Sequence, residues 1–265
     1  MASAPDSAQP AEPAKALART SVWLEDGKRT RRRKAAADQP SGLDRDRITA
    51  ATVRLLDAEG LAKFSMRRLA AELEVTAMSL YWYVDTKEDL LELACDAVAG
   101  EVPLPDSESG GDWRDQLREL AYGYRALMIH HPWLSPLVGR FLNIGPHWMA
   151  LSLCVQRVIR NTGLPLDRQT GAIAAVFQFV YGFGTIEGDY VQRCAEAGLT
   201  QDEYFQQAMG SIGADPKVAE VMAYATEIMD ARGGETVAEM RDRDFAFALD
   251  LMITGIESMA ARAQR

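Results

Sequence analysis

The segment 64–93 constrains the fold more strongly than any other part of the chain. It reads FSMRRLAAELEVTAMSLYWYVDTKEDLLEL, and its apolar residues recur at helical spacing with one short interruption. This pattern predicts two short helices around a tight turn, at 65–73 and 76–83, followed by a longer helix at 87–98. The small core that would hold the two short helices at a fixed angle consists of Met66, Leu69, Ala70, Leu73, Val75 and Leu80.

The second short helix carries aromatic and hydroxyl side chains where a core helix carries aliphatic ones. Guanidinium groups can read guanine edges, small apolar groups can contact thymine methyls, and hydroxyl and ammonium groups can bind phosphates. The surface formed by these side chains predicts a helix-turn-helix that lies in the major groove of DNA. Its members are Arg67, Arg68, Thr76, Ala77, Met78, Ser79, Tyr81, Trp82, Tyr83 and Lys87.

A cluster of positive charge precedes this segment. Residues 28–34 read KRTRRRK, which fits either a solvated basic tail or an arm that enters the minor groove of DNA through Arg31, Arg32 and Arg33. Its closeness to the helix-turn-helix favours the arm. We expect residues 1–42 to form a disordered extension, within which the sequence VWL at 22–24 either docks on the body or is an apolar spot in the tail.

The net charge of −9 is unevenly divided along the chain. Residues 28–90 carry 13 Lys/Arg against 10 Asp/Glu, whereas residues 91–265 carry 14 against 24. A basic head on an acidic body is consistent with a DNA-binding domain joined to a domain that need not contact phosphate.

Composition also argues against several classes of protein. No stretch approaches the roughly 18 consecutive apolar residues of a membrane span, and the N-terminus lacks the apolar core of a signal peptide. We therefore expect a cytoplasmic protein with no membrane partner. The three cysteines are too few and too widely spaced for a disulfide framework or a CxxC metal site. The three histidines occur in no HExxH or triad-like setting, so we expect no metal, no cofactor and no enzymatic activity.

The rest of the chain shows helical spacing interrupted by Gly and Pro, without the alternation typical of strands. Helices are predicted at 113–130, 169–193 and 242–263. The last two are apolar over more than one face and carry small residues that permit close approach. Burial within one subunit and a four-helix interface with a second copy both fit this pattern. We favour the homodimer, because two recognition helices about 34 Å apart can read a palindrome.

Residues 43–90 resemble the DNA-binding domain of the TetR/AcrR family of bacterial repressors. A first helix that ends at Glu59-Gly60, the runs SMRRLAAEL and SLYWYV, and a lysine that opens the next helix occur in the family's order. Glu74 departs from the pattern, since the family usually places Gly in this turn, and backbone strain is expected there. More loosely, the runs NIGPHWMALSLCVQRVI and FVYGFGTIEGDY resemble the C-terminal domain of tetracycline-repressor-like regulators.

The resemblance implies an all-α fold. It consists of an N-terminal three-helix helix-turn-helix domain at 43–90 and a larger α-helical ligand-binding and dimerisation domain at 91–265. The resemblance also implies roles for single residues: Arg67 reads a base, Ala77 and Met78 form the front of the recognition helix, and Trp82 touches DNA or supports that helix. Positions that usually bind phosphates correspond to Ser65, Tyr81, Tyr83 and Lys87. Arg68 is either a phosphate contact or a solvated charge, and we expect the solvated charge.

Aromatic and polar residues of the C-terminal domain are predicted to face one helical layer. Such a layer fits either a plain core or a chamber for a flat, mostly apolar ligand. The candidate ligand-binding residues are Tyr124, Phe141, Trp148, Gln178, Tyr181, Phe183 and Glu187. Tetracycline repressors hold a magnesium chelate with a His and a Glu. Glu187 matches that Glu, but the segment 138–141 offers no His, so an aromatic metabolite or antibiotic is expected instead.

The expected function is that of a ligand-responsive, DNA-binding transcriptional regulator. We expect a repressor that a small aromatic inducer releases from a palindromic operator in double-stranded DNA. The inducer would order the chamber and shift the fourth helix, so that the two recognition helices no longer match adjacent grooves. The alternative is a regulator controlled by a protein partner, or an activator, with no small-molecule inducer. A filled core without a cavity would favour that alternative.

Overall fold

The computed structural model describes residues 21–24, 43–108, 110–213, 226–229 and 231–264, and every regular element within them is helical. The all-α fold predicted from the sequence is therefore confirmed. The predicted DNA contacts Arg31, Arg32 and Arg33 lie outside the described residues. In the described part, no helix is long and apolar enough to cross a membrane.

Ten helices are labelled here in chain order. The first four are α1 (Arg45–Glu59), α2 (Met66–Glu72), α3 (Ala77–Leu80) and α4 (Lys87–Ala99). The others are α5 (Trp113–His130), α6 (Ser135–Val138), α7 (Pro146–Arg160), α8 (Leu166–Ala197), α9 (Gln201–Gly213) and α10 (Val237–Ala263). A short 3-10 helix, Pro132–Leu134, leads into α6.

The N-terminal domain is organised by side chains that cap its helices. Asp44 accepts a hydrogen bond from the Arg47 backbone N–H at 2.7 Å at the start of α1. Thr86 and Asp89 form a capping box at the start of α4. The apolar face of α1 packs against α4, while α2 packs against α3. Because both long helices begin at strong local caps, their starting points follow directly from the sequence.

The third helix is shorter than the pattern predicts. An α-helix over 76–83 was expected, but α3 ends at Leu80. The N–H groups of Tyr81, Trp82 and Tyr83 donate to carbonyls three residues earlier, at 3.2, 3.4 and 2.9 Å. The prediction for 81–83 is therefore wrong: these aromatic residues lie in a tight turn of the 3-10 type, which is frequent at the C-terminal end of an α-helix.

The segment 21–24 docks on the N-terminal domain. The Val22 side chain is 1% exposed, and its backbone N–H donates to Glu92 Oε2 on α4 at 2.8 Å. The Ser21 hydroxyl donates to the other oxygen of the same carboxylate. Of the two alternatives drawn from the sequence, the docked one is therefore observed, and these four residues are an exception to the expected disordered extension.

The C-terminal domain is built around the pair α5 and α8. Gly184 and Gly188 on α8 let the two helices approach closely, since a Cβ at these positions would lie 2.9 Å from the Met128 side chain and 2.7 Å from the Met128 carbonyl. Helix α7 packs on α4, α5 and α8, and α10 packs on α8 and α9. Gly184, one of the small residues on α8 that suggested close approach to a second subunit, is thus used within the subunit.

Candidate DNA-binding surface and ligand cavity

The turn between α2 and α3 has a Schellman geometry with a non-glycine residue at its centre. The Val75 N–H donates to the Ala70 carbonyl at 2.9 Å, and the Glu74 N–H donates to the Ala71 carbonyl at 3.2 Å. Glu74 has a φ of +56°, in the left-handed region that favours glycine. The backbone strain expected at Glu74 from the sequence is therefore present.

Hydroxyl side chains begin both helices of the helix-turn-helix. Ser65 caps α2 by accepting from the Arg68 backbone N–H at 3.2 Å. Thr76 caps α3 by accepting from the Ser79 backbone N–H at 3.2 Å, and its hydroxyl lies 2.9 Å from the Ser79 hydroxyl. These bonds fix where each helix starts, and thus how the side chains of the pair are presented.

The predicted DNA-binding residues of this domain are largely accessible. Met78, Trp82 and Tyr81 are 70%, 52% and 41% exposed. These three large side chains therefore leave apolar surface accessible outside the core. The predicted contacts that are also exposed are Ser65, Arg67 and Thr76. The half-buried ones are Ala77, Ser79, Tyr83 and Lys87. The individual DNA contacts of these residues stay predictions.

Two cations near the helix-turn-helix have partners within the protein. Arg68 is exposed, as expected, but it binds Glu59 at 2.6 Å and Glu72 at 3.5 Å. The hydrogen bond to Glu59 raises the pKa of Arg68. Lys87, predicted to bind phosphate, donates from Nζ to the Phe64 carbonyl at 2.7 Å. An ammonium has three donors, so this bond occupies only one of them.

A cavity of about 730 Å³ lies in the C-terminal domain, walled mainly by α7 and α8. This volume falls within the range of sites that hold drug-sized molecules. Its lining residues are Tyr124, Leu142, Asn143, Trp148, Leu151, Ser152, Leu153, Val155, Gln156, Arg157, Arg160, Leu166, Gln169, Thr170, Ile173 and Phe177. Of the seven ligand-binding candidates, Tyr124 and Trp148 are brought together there.

The other five candidates do not line this cavity. Gln178 is exposed, and Tyr181 donates its hydroxyl to the Ser135 carbonyl at 2.9 Å. Phe183 packs edge-on against Phe245 of α10, and Phe141 packs on the core beside the cavity. These residues were chosen by chemical type, whereas position around the helix axis decides which side chains face the cavity.

Glu187 is committed to an internal ion pair. Arg125 of α5 donates from Nε and Nη2 to the two carboxylate oxygens at 2.8 and 2.9 Å, and from Nη1 to Asp242 at 2.7 Å. Burial lowers the pKa of Arg125, but the hydrogen bonds to Glu187 and Asp242 outweigh it and raise that pKa. Glu187 therefore joins α8 to α5 through Arg125. Across the described residues, no group of three or more His, Cys, Asp or Glu is placed to hold a metal ion.

The cavity residues that sequence reasoning missed carry a recognisable signal. The α8 wall is formed by Leu166, Gln169, Thr170, Ile173 and Phe177. Their spacing of three or four residues marks a single helix face, and Trp148, Leu151, Ser152 and Val155 repeat it on α7. Counting along α7 from Trp148 would have found the positions on that helix, whereas none of the predicted residues on α8 lies on the face that lines the cavity.

Two family models match separate parts of the chain. The sequence-family model described as bacterial regulatory proteins, tetR family, matches residues 48–94. The model described as tetracyclin repressor-like, C-terminal domain, matches residues 104–260. The first range covers most of α1 to α4, and the second covers α5 to most of α10.

Individual relatives agree with these matches. The HTH-type transcriptional repressor DrrR1 of Streptomyces coeruleorubidus is 32% identical over 247 residues, which are 93% of this chain and 87% of that protein. An HTH-type transcriptional regulator of Saccharopolyspora erythraea is 41% identical over 140 residues, 53% of this chain and 59% of the relative. Alignment with this second relative therefore spans little more than half of its length.

A solved structure shows the same fold over most of the chain. Apo ActR from Streptomyces coelicolor superposes with a TM-score of 0.65 at 27% identity, covering 83% of this chain and 98% of ActR. ActR in complex with actinorhodin superposes with a TM-score of 0.62. The family consists of transcriptional regulators and not of enzymes, as expected from the sequence. The chain belongs to the tetR family of DNA-binding bacterial regulatory proteins, with a tetracycline-repressor-like C-terminal domain.

Proposed function

We propose that the protein is a homodimeric repressor that leaves a palindromic operator when a small aromatic molecule occupies the cavity walled by α7 and α8. The observation that carries this proposal is the position of that cavity. One of its walls, α7, packs directly on α4, the helix that follows the helix-turn-helix. A ligand that moves α7 therefore acts on the helix that supports the helix-turn-helix.

The chemistry of the cavity supports an aromatic ligand. Tyr124 contacts Trp148 edge-on at a centroid distance of 6.2 Å and Phe177 at 5.8 Å. Three rings on one cavity favour a planar, mostly apolar molecule, and the amides of Gln156 and Gln169 add polar contacts at its rim. ActR, a relative of the same fold, has been crystallised with actinorhodin, which supports the same class of ligand.

The presence of this cavity also bears on the alternative of a protein-controlled regulator. That alternative is favoured by a C-terminal core without space for a ligand. A cavity of about 730 Å³ supports the small-molecule inducer instead. The magnesium–tetracycline chelate remains disfavoured, because the Glu187 carboxylate is already held by Arg125.

Exposed apolar side chains on α8 and α10 support the dimer. Ile186 on α8 is 66% exposed, and Phe247 and Leu251 on α10 are 67% and 59% exposed. Large apolar residues grouped on two neighbouring helices mark an interaction surface. A second copy that covers this surface with its own α8 and α10 would form a closed twofold interface and place two helix-turn-helix units on one operator.

The decisive experiment is a salt-series titration with the DNA that flanks the gene of this protein. Full-length protein is compared with a variant in which all six cations of 28–34 are changed to Gln. This variant keeps 21–24, whose docking on Glu92 would be lost in a deletion of the whole N-terminus. Random-sequence DNA of equal length is the control.

Saturable binding that is selective for the flanking DNA and weakens with salt would support the proposed regulator. A shallower salt slope for the Gln variant would assign the basic segment to phosphate contacts. Equal binding to random DNA would contradict the proposal. In a second arm, actinorhodin is added to the bound complex as an aromatic probe, and release of the DNA would support ligand control.

A further inference from the structure

The first turn of α7 is capped by a residue of a different helix. Its own N-cap residue, Gly145, has no side chain, and the helix begins at Pro146. Oδ1 of Asp96 on α4 accepts hydrogen bonds from the backbone N–H groups of His147 and Trp148, both at 3.1 Å. The first N–H groups of a helix lack partners within it, and a carboxylate is well suited to accept them. The helix that follows the helix-turn-helix, α4, thus supplies the cap of a cavity helix.

The contact between Asp96 and α7 is buried and sterically fitted. Asp96 is 2% exposed, and its Oδ2 lies 2.9 Å from Nδ1 of the His147 ring. A Cβ on Gly145 would collide with the Asp96 carboxylate, and a Cβ on Gly100 would lie 2.7 Å from the His147 ring. Glycine at both positions lets α4 and α7 approach closely. We call Asp96, Gly100, Gly145 and His147 the α4–α7 clasp.

On one side, the clasp is continuous with the cavity. Trp148, whose backbone N–H binds Asp96, lines the cavity, as do Leu151 and Ser152 in the next turn. A ligand that displaces α7 must either carry Asp96 with it or separate the carboxylate from its donors. Separation leaves a buried carboxylate without its partners, which is strongly unfavourable. Movement of α4 together with α7 is therefore the easier response.

On the other side, α4 reaches the helix-turn-helix. Lys87, its first residue, donates to the carbonyl of Phe64 at 2.7 Å. Phe64 immediately precedes Ser65, the N-cap of α2. Both contacts are made by α4, which is one uninterrupted helix of 13 residues. Displacement at Asp96 is therefore carried along a rigid element to the start of α2.

We propose that Asp96 is the positioning residue that couples ligand occupancy of the cavity to the placement of the helix-turn-helix, by holding the first turn of α7 on α4. The inference rests on the proposed function and names the contact through which the two sites communicate. Coupling between sites is reciprocal, so DNA bound at α2 and α3 must also affect the first turn of α7. DNA alone is therefore a sufficient probe, and no inducer has to be identified.

The test is amide hydrogen exchange of the full chain with and without a duplex that the protein selects from its flanking DNA. In the wild-type protein, DNA is expected to slow exchange at 147–152 by about 5-fold or more. Asp96→Ala and Gly145→Ala break the clasp from its two sides, so the slowing should fall below about 2-fold in both variants while DNA is still bound. Met149→Ala changes a 54% exposed side chain in the same turn of α7, and it should respond like the wild type.

An undiminished DNA effect at 147–152 in the two clasp variants would overturn the role of Asp96. The same holds if the wild-type protein binds DNA selectively without any change in that segment. Absence of selective DNA binding by the wild type would overturn the proposed function, and the inference with it. Should Asp96→Ala fail to fold, Gly145→Ala carries the test, because φ −66° and ψ 162° at Gly145 are accessible to alanine.

Discussion

Arg125 and Glu187 form a bidentate ion pair between α5 and α8, and their side chains are only 6% and 8% exposed. Both carboxylate oxygens of Glu187 accept from the guanidinium. By resemblance, this glutamate matches the one that holds the magnesium chelate in tetracycline repressors, although the matching histidine is absent from 138–141. In this chain it instead neutralises an arginine that also packs over the rings of Phe183 and Phe245.

Removing one partner of this ion pair should be more damaging than removing both. Glu187→Ala is expected to lower the free energy of unfolding by about 3 kcal/mol, because it leaves Arg125 buried with Asp242 as its remaining carboxylate partner. The double variant Arg125→Met/Glu187→Leu removes both charges and should recover most of this loss. Urea unfolding at one fixed protein concentration measures the difference. Equal losses in the single and double variants would contradict the prediction.

Glu74→Gly is expected to stabilise the protein by about 1 kcal/mol, because glycine removes the steric penalty of a side chain in the left-handed region. The measurement is the midpoint of urea unfolding. Ala71→Gly, three residues earlier in α2, is the matched control and should destabilise by about 1 kcal/mol. If Glu74→Gly lost as much stability as Ala71→Gly, the left-handed backbone at Glu74 would not lower the free energy of unfolding.

His131 should make stability depend on pH. Its buried ring lies 2.6 Å from Asp57 Oδ1 and 3.0 Å from Glu101 Oε2. Burial lowers the pKa of His131, but the hydrogen bonds to the two carboxylates outweigh it and raise the pKa above 6.5. Since the folded pKa exceeds the unfolded one, the stabilisation is fully present below the unfolded pKa. It is lost as pH rises through the folded pKa.

Urea unfolding measured from about pH 6 to about pH 9 tests this dependence. Wild-type protein should lose stability across the upper part of this range, and His131→Gln should show a weaker dependence. His130→Gln changes the neighbouring exposed histidine and should behave like the wild type. The same pH dependence in all three proteins would remove His131 as its source.

Two adjacent residues on α8, Phe177 and Gln178, should differ in their effect on the affinity for the inducer. Phe177 lines the cavity, whereas Gln178 points away from it and is exposed. Phe177→Ala is expected to weaken binding of an aromatic inducer by about 2 kcal/mol, from lost apolar area and ring contact. Gln178→Ala should leave it unchanged. Release of bound DNA as a function of inducer concentration measures both, and a larger effect of Gln178→Ala would place the ligand elsewhere.

The two predicted kinds of DNA contact should respond differently to alanine. Arg67→Ala is expected to lower discrimination between operator and random DNA by about 1–3 kcal/mol, the value of a good bidentate base contact. Lys87→Ala should weaken binding to all sequences and flatten the salt slope. Binding titrations on both DNAs at several salt concentrations separate the two effects. An equal loss on operator and random DNA for Arg67→Ala would exclude base reading.

Lys87 requires one additional control. Its ammonium also donates to the Phe64 carbonyl, so Lys87→Ala can weaken DNA binding by loosening the start of α2. Lys87→Arg keeps the charge and should retain the salt slope. Comparison of the unfolding midpoints of both variants separates loss of a phosphate contact from loss of structure.

Local features of the sequence determined most of the helices, although α8 begins at Leu166 and α10 at Val237, before the predicted starts at 169 and 242. The bounds of α5, Trp113–His130, coincide with its apolar period, and Asp44, Ser65 and Thr86 cap helices where their positions before apolar runs predict. Helical spacing and capping act within a few residues, so one sequence contains all the information that they need. The family resemblance of 43–90 rests on the same local patterns.

The tertiary structure alone decided which side chains meet. Arg125 and Glu187 are 62 residues apart in sequence, and Asp96 and His147 are 51 apart. Such pairs depend on the rotation of each helix about its axis, which the contacts among α4, α5, α7 and α8 fix together. For the same reason, Tyr124 and Trp148 face the cavity while Gln178 and Glu187 do not. A residue's chemical type is local, but the direction in which it points is set by packing.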